Sequence, residues 1–550
     1  MQNDYSKNEQ NIEKAIQEIE NGKDDGEETG QDSKPSFTEK LIALVREGNA
    51  ILFHDQFGEA YIASHGDGTE ILQLQAKSKN FRRWLSYQAH KELKRPTNSN
   101  VVSEAINTLE GYAIHEGQLY DLNVRVASYE GAIWYDLGSS AVKITAEGWV
   151  IVSDPPILFR RFNSQKNQIE PKHGGNLNLL DSLLPRSMTE GQKLLYKTSL
   201  VTGLIPDIPQ TIDIFFGEHG SAKSTIVKMK KDLIDPSVID EFTPPDNIRE
   251  LVQFLSHHWY LPLGNLTRLD GWMSDCICRA STGGGFSKRE LYTNDDDVIY
   301  KYIRIVSLNG INLIAEKPDL LDRALLIGNL VRIPENERIG DAEFWTQFRE
   351  AKPLILGAMF DALSGSMREI DSIELSRLPR MADFTRWGCA VAKTTGGIYL
   401  HDTFLNAYHQ NIATQHDQAI ESSPIGTVII IFMDGKELWE GTPSSLLDEL
   451  NPLAASAKLD RDKRFPKNAN WVWRRIQDVK VNLQEKGIFS ERHKDGQRLI
   501  HLWKNKDEEN AVPAVHDVML GSGSPNIEDS IWDSNETAWD EAPMAPTLDL

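Results

Sequence analysis

The sequence predicts a multidomain chain of mixed α/β class, and three observations carry that reading. Between residues 178 and 335 helical and strand-like apolar patterns alternate, as in a parallel sheet covered by helices. From 36 to 160 short helices come first and glycine-punctuated strands follow, which reads as a small α+β domain. After Trp439 the composition changes again and the order becomes helix, helix, hairpin.

With 550 residues the chain has room for several domains. Composition divides it into an acidic tail at 1–35, the α+β domain at 36–160, a polar linker at 161–177, the α/β domain at 178–335, a helical lid at 336–430, a basic module at 431–506 and a second acidic tail at 507–550. Within the α+β domain, TEKLIALVREG, FRRWLSYQAHKEL and NSNVVSEAINTLEGYAIHEG have helical spacing, and AILFHDQFGEAYIASHG reads as a hairpin turning at Gly58. The strands LYDLNVRVASYEGAIWYDL and AVKITAEGWVIVSD close the domain.

The net charge of −22 is unevenly spread. Residues 1–35 hold ten acids against four bases, and residues 507–550 hold eleven acids and no Lys or Arg, so the part between them is close to neutral. Both tails are poor in apolar residues and are expected to be disordered. No apolar run of 18 residues suggests a membrane span, and the N-terminus lacks the apolar core of a secretion signal. Cys276, Cys278 and Cys389 are too few for a disulfide framework, and the first two read as small buried residues. A cytoplasmic location is therefore expected.

The stretch DIFFGEHGSAKSTIVKMKKDLI, residues 213–234, passes from an apolar strand through a small-residue loop into a lysine-rich helix. A phosphate cradle needs backbone N–H groups turned inward at the positive end of a helix, which demands glycine or small residues. It also needs a lysine that reaches the outer phosphates and a hydroxyl for magnesium. Gly217, Gly220, Ser221, Ala222, Lys223, Ser224 and Thr225 meet these needs, with Ala222 where glycine is usual. The sequence thus predicts ATP binding with Mg²⁺, Lys223 facing phosphate and Ser224 facing the metal. The competing reading is a strand-to-helix loop with incidental glycines, and the agreement of motif with flanking pattern weighs against it.

From about Gly111 to Trp387 the chain resembles the helicase-like P-loop ATPases of bacterial and phage mobile elements. That family is related to the AAA+ motors of superfamily 3 and to poxvirus-type primase-helicases. WYDLGSSAVKITAEGWVIVSDPPILFRRF, GEHGSAKST, CRASTGGGFSKRELYTNDDD, VSLNGINLIAEKPDLLDRALLI and RLPRMADFTRWG carry the resemblance, in the family's order. It implies an AAA+-like core, a DNA-dependent ATPase of helicase or helicase-loader type, and a homo-oligomeric ring. Under it Asn309 is a polar sensor, against the alternative of a turn residue before Gly310. Arg323 is an arginine finger acting on a neighbour's site, against an ion pair with Asp319 or Asp322. Arg380 is a second sensor in the lid. The segment after Gly283 corresponds to a hairpin that projects into the channel, with Lys288, Arg289 and Lys301 on DNA phosphates, although its TNDDD turn is acidic.

One departure stands out. In the family the strand before this hairpin ends in Asp-Asn, the acid ordering Mg²⁺ and the attacking water. Here HHWYLPLGNLTRLDGW places Gly264 and Asn265 at those positions. ATP is then expected to bind but to turn over slowly unless Asp270 or Asp275 folds back, and Gly264→Asp is expected to raise turnover. This keeps a rival reading open, a nucleotide-gated DNA-binding or assembly factor with weak or no hydrolysis.

Residues 456–506 carry fourteen Lys or Arg against six acids. Thr442 and Pro443 start a short helix, NANWVWRRIQDVKVNLQEKG is amphipathic, and IFSERHKDGQRLIHLW reads as a hairpin turning at Asp495-Gly496. This is the order of a winged helix, with Arg474, Arg475, Lys480 and Lys494 directed at DNA, single-stranded or forked. The alternative is a basic solvated face on a protein-binding module. The acidic C-terminal tail is a candidate competitor for this surface or a contact for a host replication protein. No acid cluster in 36–160 suggests primer synthesis.

Overall fold

The computed structural model of the chain describes residues 35–48, 50–66, 68–74, 78–289, 297–301, 303–315, 317–495 and 497–504. Both acidic tails read from the sequence fall outside the described residues.

The chain begins with α1 (Phe37–Arg46), whose first turn is closed by a capping box between Ser36 and Glu39. β1 (Ala50–His54) and β2 (Ala60–Gly66) form the expected hairpin, and Gly58 takes the left-handed turn position at φ 79°. β3 (Gly68–Gln73) pairs antiparallel with β2. After α2 (Lys79–Leu93) and α3 (Ser99–His115), β4 (Gln118–Leu119) returns parallel to β1. Leu41, Ile62, Phe81, Leu85, Ile106 and Leu109 make a core of their own between this sheet and the three helices.

The next four strands, β5 (Val126–Tyr129), β6 (Ala132–Asp136), β7 (Ala141–Thr145) and β8 (Gly148–Val152), form an antiparallel meander. Its inward side chains Ile133, Tyr135, Val142 and Ile144 pack in the same core as the helices of the following domain. The stretch 36–160, read as one domain, therefore divides between two cores. Strand periodicity shows which residues face inward but not which core receives them.

The central domain runs α4 (Glu190–Thr202), β9 (Ile212–Gly217), α5 (Lys223–Ile234), α6 (Ile248–His257), β10 (Tyr260–Leu266), α7 (Gly271–Thr282), the ribbon β11 (Gly285–Arg289) and β12 (Asp297–Lys301), β13 (Ile305–Gly310), α8 (Pro318–Leu321) and β14 (Ala324–Leu330). Its sheet is parallel in the order β10-β13-β9-β14. β9 shows the alternation that buries both faces. Ile212 and Ile214 pack with Leu251, Leu255 and Ile277, while Phe215 joins Ile226 and Val227 on the opposite side. On that opposite side Asp213 accepts 2.5 Å and Ser199 Oγ accepts 2.8 Å bonds from the buried Lys230 ammonium of α5.

Helices α9 (Asp341–Glu369) and α10 (Ala382–Glu421) cover this body, and α10 bends where Gly396 and Gly397 leave helical geometry. α10 also protects the outer edge of β14. Asn411 accepts from Leu326 N at 3.1 Å and donates to Leu326 O at 2.7 Å, and Gln415 donates to Ala324 O at 2.5 Å. These amides take the place of a neighbouring strand and block edge-to-edge pairing. The C-terminal part has α11 (Pro424–Met433), β15 (Leu438–Gly441), α12 (Pro443–Ser456), α13 (Ala469–Asp478), α14 (Lys480–Glu485), β16 (Ile488–Asp495) and β17 (Gln497–Lys504). Thr442 caps α12 as expected. The single helix expected after Asn468 breaks at Val479, which leaves both Val479 and Leu483 buried. The three strands pair in the order β15-β17-β16 over a separate core.

Residues 161–177 are largely exposed, but parts of the segment are built into the body. A helix C-terminus leaves carbonyls without partners, and those of α5 are met from this segment and from β6. Gln168 Nε2 donates at 3.0 Å to the carbonyls of Asp232 and Leu233, and Tyr135 Oη donates to those of Leu233 and Ile234. Just beyond α5, Asp235 is fully buried. It accepts from Lys231 at 2.7 Å, Arg125 Nε at 3.1 Å and the backbone N of Trp259 at 3.0 Å. Burial alone would raise its carboxyl, but Lys231, His258 and Arg125 hold it well below the usual carboxylate range.

Asp235→Ala leaves Lys231 and Arg125 buried without their counter-ion, and is expected to lower stability by about 3–5 kcal/mol in urea unfolding at neutral pH. A change under 1 kcal/mol would remove Asp235 as an anchor. A pH dependence follows from His257 and His258, both lowered chiefly by burial, His257 to about 4. His257 protonates below about 6.5 when unfolded but only near 4 in the fold, so the urea midpoint is expected to fall as pH drops from about 6.5 towards 4, with His258 acting in the same direction. His257→Gln should flatten that decline.

Candidate nucleotide-binding site

At the C-terminal ends of β9, β10 and β13 a cleft of about 430 Å³ is lined by residues 219–225, 265–267 and 309–311. Its floor is the loop between β9 and α5. Gly217 (φ 148°), Gly220 (φ 74°) and Ala222 (φ 65°) all take positive φ. For Ala222 this left-handed geometry costs roughly 1–2 kcal/mol, so the position where glycine is usual still adopts a glycine-like backbone. The loop then enters α5 at Lys223, which turns the positive end of the helix dipole towards the cleft.

Lys223 Nζ rests on the loop itself, 2.9 Å from Gly217 O, 2.6 Å from Glu218 O and 3.3 Å from Ser221 Oγ. Burial lowers its pKa. The loop is strapped from the other side by the end of β14 and the segment after it. Glu218 N donates to Leu330 O at 2.8 Å, and Ile333 N to Gly220 O at 3.1 Å. A Cβ built on Gly220 would lie 3.7 Å from Arg332 Cγ and 3.9 Å from Arg338 Nη2. Two arginines therefore stand beside the loop that no motif in the sequence had marked.

Asn309, at the end of β13, is 3% exposed and joins two other side chains. Its Nδ2 donates to Ser224 Oγ at 2.9 Å and to Glu241 Oε1 at 2.7 Å. Glu241 was not foreseen. It belongs to the loop before α6, where Phe242 forms a parallel bridge with Leu263 of β10. A Cβ added at Gly264 would overlap Glu241, lying 2.5 Å from its Cγ and closer still to its carboxylate. The space that a side chain at position 264 would take is occupied by a carboxylate from another segment. Asp270 and Asp275 do not supply it. Asp270 pairs with Arg268 at 3.4 Å and Asp275 with Lys317 at 2.6 Å, whereas Glu241 is bonded to Asn309 of the cleft wall.

The donor set fits a magnesium ion that arrives with phosphates. Ser224 and Glu241 offer hard oxygen donors, as magnesium prefers. Among the described residues no cluster of three or more His, Cys, Asp or Glu exists to hold a metal by protein side chains alone.

The remaining expected residues lie elsewhere. Arg323 is buried at the start of β14, at the opposite end of the sheet from the cleft, and pairs with Asp319 four residues earlier. Arg380 approaches the same Asp319 at 3.8 Å. The ion pair weighed for Arg323 is therefore present, and neither arginine reaches its own chain's cleft. Lys288, Arg289 and Lys301 fall on the β11–β12 ribbon, but their side chains, like that of Lys494, lie outside the described residues, as does the ribbon's turn. Arg474 and Arg475 flank the 44% exposed ring of Trp471 on α13, at 5.1 and 5.9 Å from its centroid. Lys480 is half-buried at the start of α14.

No helix among the described residues is long and apolar enough to cross a membrane. No curated protein matches the chain. Among solved structures, the A-form apo C-terminal region of NrS-1 is similar at TM-score 0.39 and 11% identity, covering 84% of this chain and 98% of that one. A ligand-bound JCV Helicase gives TM-score 0.20 and 12% identity, covering 40% of this chain and 66% of that one. Residues 180–416 match the model of the actinomycete integrative conjugative element replication protein, and residues 425–514 that of the AICE RepA C-terminal domain. Over these two consecutive stretches the chain is similar to a replication protein of a mobile element, which bears out the resemblance drawn from its sequence.

Proposed function

We propose that the chain is an ATP-driven motor of mobile-element replication, a DNA-dependent ATPase of helicase or helicase-loader type. The observation that carries this reading is the link from Ser224 through Asn309 to Glu241 at the mouth of the phosphate loop. A loop that only bound nucleotide would need its N–H groups and lysine. A hydroxyl, an amide and a carboxylate joined at its edge are the parts that turnover requires. In this reading Lys223 exchanges the loop carbonyls for the outer phosphates, and Ser224 faces magnesium, which offsets phosphate charge when bound. Asn309 holds its amide towards the γ-phosphate or the attacking water. Arg332 and Arg338 add positive charge beside the loop.

The central domain with α9 and α10 is read as an AAA+-like core and lid, working in a homo-oligomeric ring. Arg323 and Arg380, at the far end of the sheet, would then serve a neighbour's cleft once released from Asp319. Residues 424–504 are read as a winged helix, with α13 as the element offered to DNA. Trp471 supplies an aromatic face and Arg474 and Arg475 supply charge, a combination suited to stacked bases and phosphates. The rival, a nucleotide-gated DNA-binding or assembly factor with weak or no hydrolysis, draws its support from Gly264, and Glu241 beside that position is the observation that favours the motor.

Two outcomes test this. Lys223→Ala is expected to abolish stabilisation by ATP, which for the intact protein amounts to about 2.7 kcal/mol at a hundredfold excess over Kd. Unchanged ATP affinity would sink the cradle. Replacing Arg474 and Arg475 by alanine is expected to weaken DNA binding and to reduce its log–log salt slope by about 1 per lost phosphate contact. An unaltered slope would move the DNA surface elsewhere.

A further inference from the structure

We infer that Glu241 is the carboxylate that orders magnesium in this site, and that position 264 is glycine because Glu241 fills the volume its side chain would take. The inference deepens the ATPase reading and rests on it. The backbone is held first. Phe242 N donates to Pro262 O at 2.9 Å and Gly264 N donates to Phe242 O at 2.9 Å, so residues 241 and 242 run beside β10 as one more rung of the sheet. The side chain is held next. Asn309 Nδ2 fixes Oε1 while bonding Ser224 Oγ, so the hydroxyl and the carboxylate flank one nitrogen.

Among the described residues Oε2 has no hydrogen-bond partner, and it is left to accept from the water shell of a hydrated cation. Magnesium keeps several waters and takes few direct protein ligands, so one hydroxyl with a carboxylate behind it is a sufficient protein contribution. Such outer partners commonly change metal affinity or activity 10–100-fold when removed. Asp270 and Asp275, the two acids that follow β10, are engaged in their own ion pairs.

The experiment uses the full chain and titrates a fluorescent ATP analogue with and without Mg²⁺, alongside ATP turnover with and without single-stranded DNA. Glu241→Gln, of the same shape, is expected to bind nucleotide normally in EDTA, to lose the tightening that Mg²⁺ gives the wild type, and to turn over about 10²–10³-fold more slowly. Gly264→Asp alone is expected to impair the same two quantities by displacing Glu241. Gly264→Asp combined with Glu241→Gly, which moves the acid to β10, should recover both. Retained Mg²⁺-dependent tightening in Glu241→Gln, or faster turnover in Gly264→Asp, overturns the inference. If Mg²⁺ tightens wild-type binding through Glu241 but no turnover occurs on any DNA, the ATPase reading falls while the role of Glu241 stands. Thermal unfolding of each variant separates these outcomes from loss of fold.

Discussion

The buried carboxylate of Asp235 is the point on which the rest of the molecule hangs. It lies just past the end of α5, and through it that helix is joined to Arg125 ahead of β5 and to the start of β10 at Trp259. Arg125 is itself fully engaged, with Nη1 on Asp136 O at 2.9 Å and Nη2 on Lys166 O at 2.9 Å. A single charged group therefore ties together three regions far apart in sequence. Buried ion pairs add little net stability against apolar replacements, but removing one partner leaves a costly uncompensated charge. The effect here is positional. With its last carbonyls held by Tyr135 and Gln168, α5 cannot slide or tilt, and its first turn carries the phosphate loop.

The same helix is held along its length. Lys230 reaches Asp213 on β9, and Lys352 of α9 reaches Asp232 at 2.9 Å. Loop, strand and helix thus form one rigid piece around the cleft, and Ala222 keeps its costly backbone because the surroundings leave no alternative. Under the proposed ATPase reading, groups on such a frame would need no reorganisation at the moment of reaction. Moving parts would have to be sought where the frame ends, as at the Gly396–Gly397 bend of α10.

Much of this was legible in the sequence, and the reasons for the rest are physical. The loop between β9 and α5 is local, so its glycines, lysine and flanking pattern marked it in the sequence. Asn309 was found because a polar residue ending an apolar strand is conspicuous. Glu241 was not, since its role depends on a parallel bridge from Phe242 to Leu263 that no periodicity reports. Residues 161–177 read as a linker because they are polar, and that polarity did not reveal that Gln168 bonds the end of α5. Arg323 carried two readings, and its pairing with Asp319 is visible only when the chain is folded. Arg332 and Arg338 sit in an irregular segment after β14 and gave no signal.

The shared volume of Gly264 and Glu241 also bears on how such a chain can change over generations. A lineage that moves its acid from one strand to the other must pass through an intermediate that has either two side chains in one space or none. If Glu241 orders the metal, each single step would be harmful in the background where the other has not occurred, and the two positions would have to be read as a pair. A chain with an acid at 264 and none at 241 would be a sibling solution, and a search that scores the strand end alone would divide the two siblings into working and broken motors.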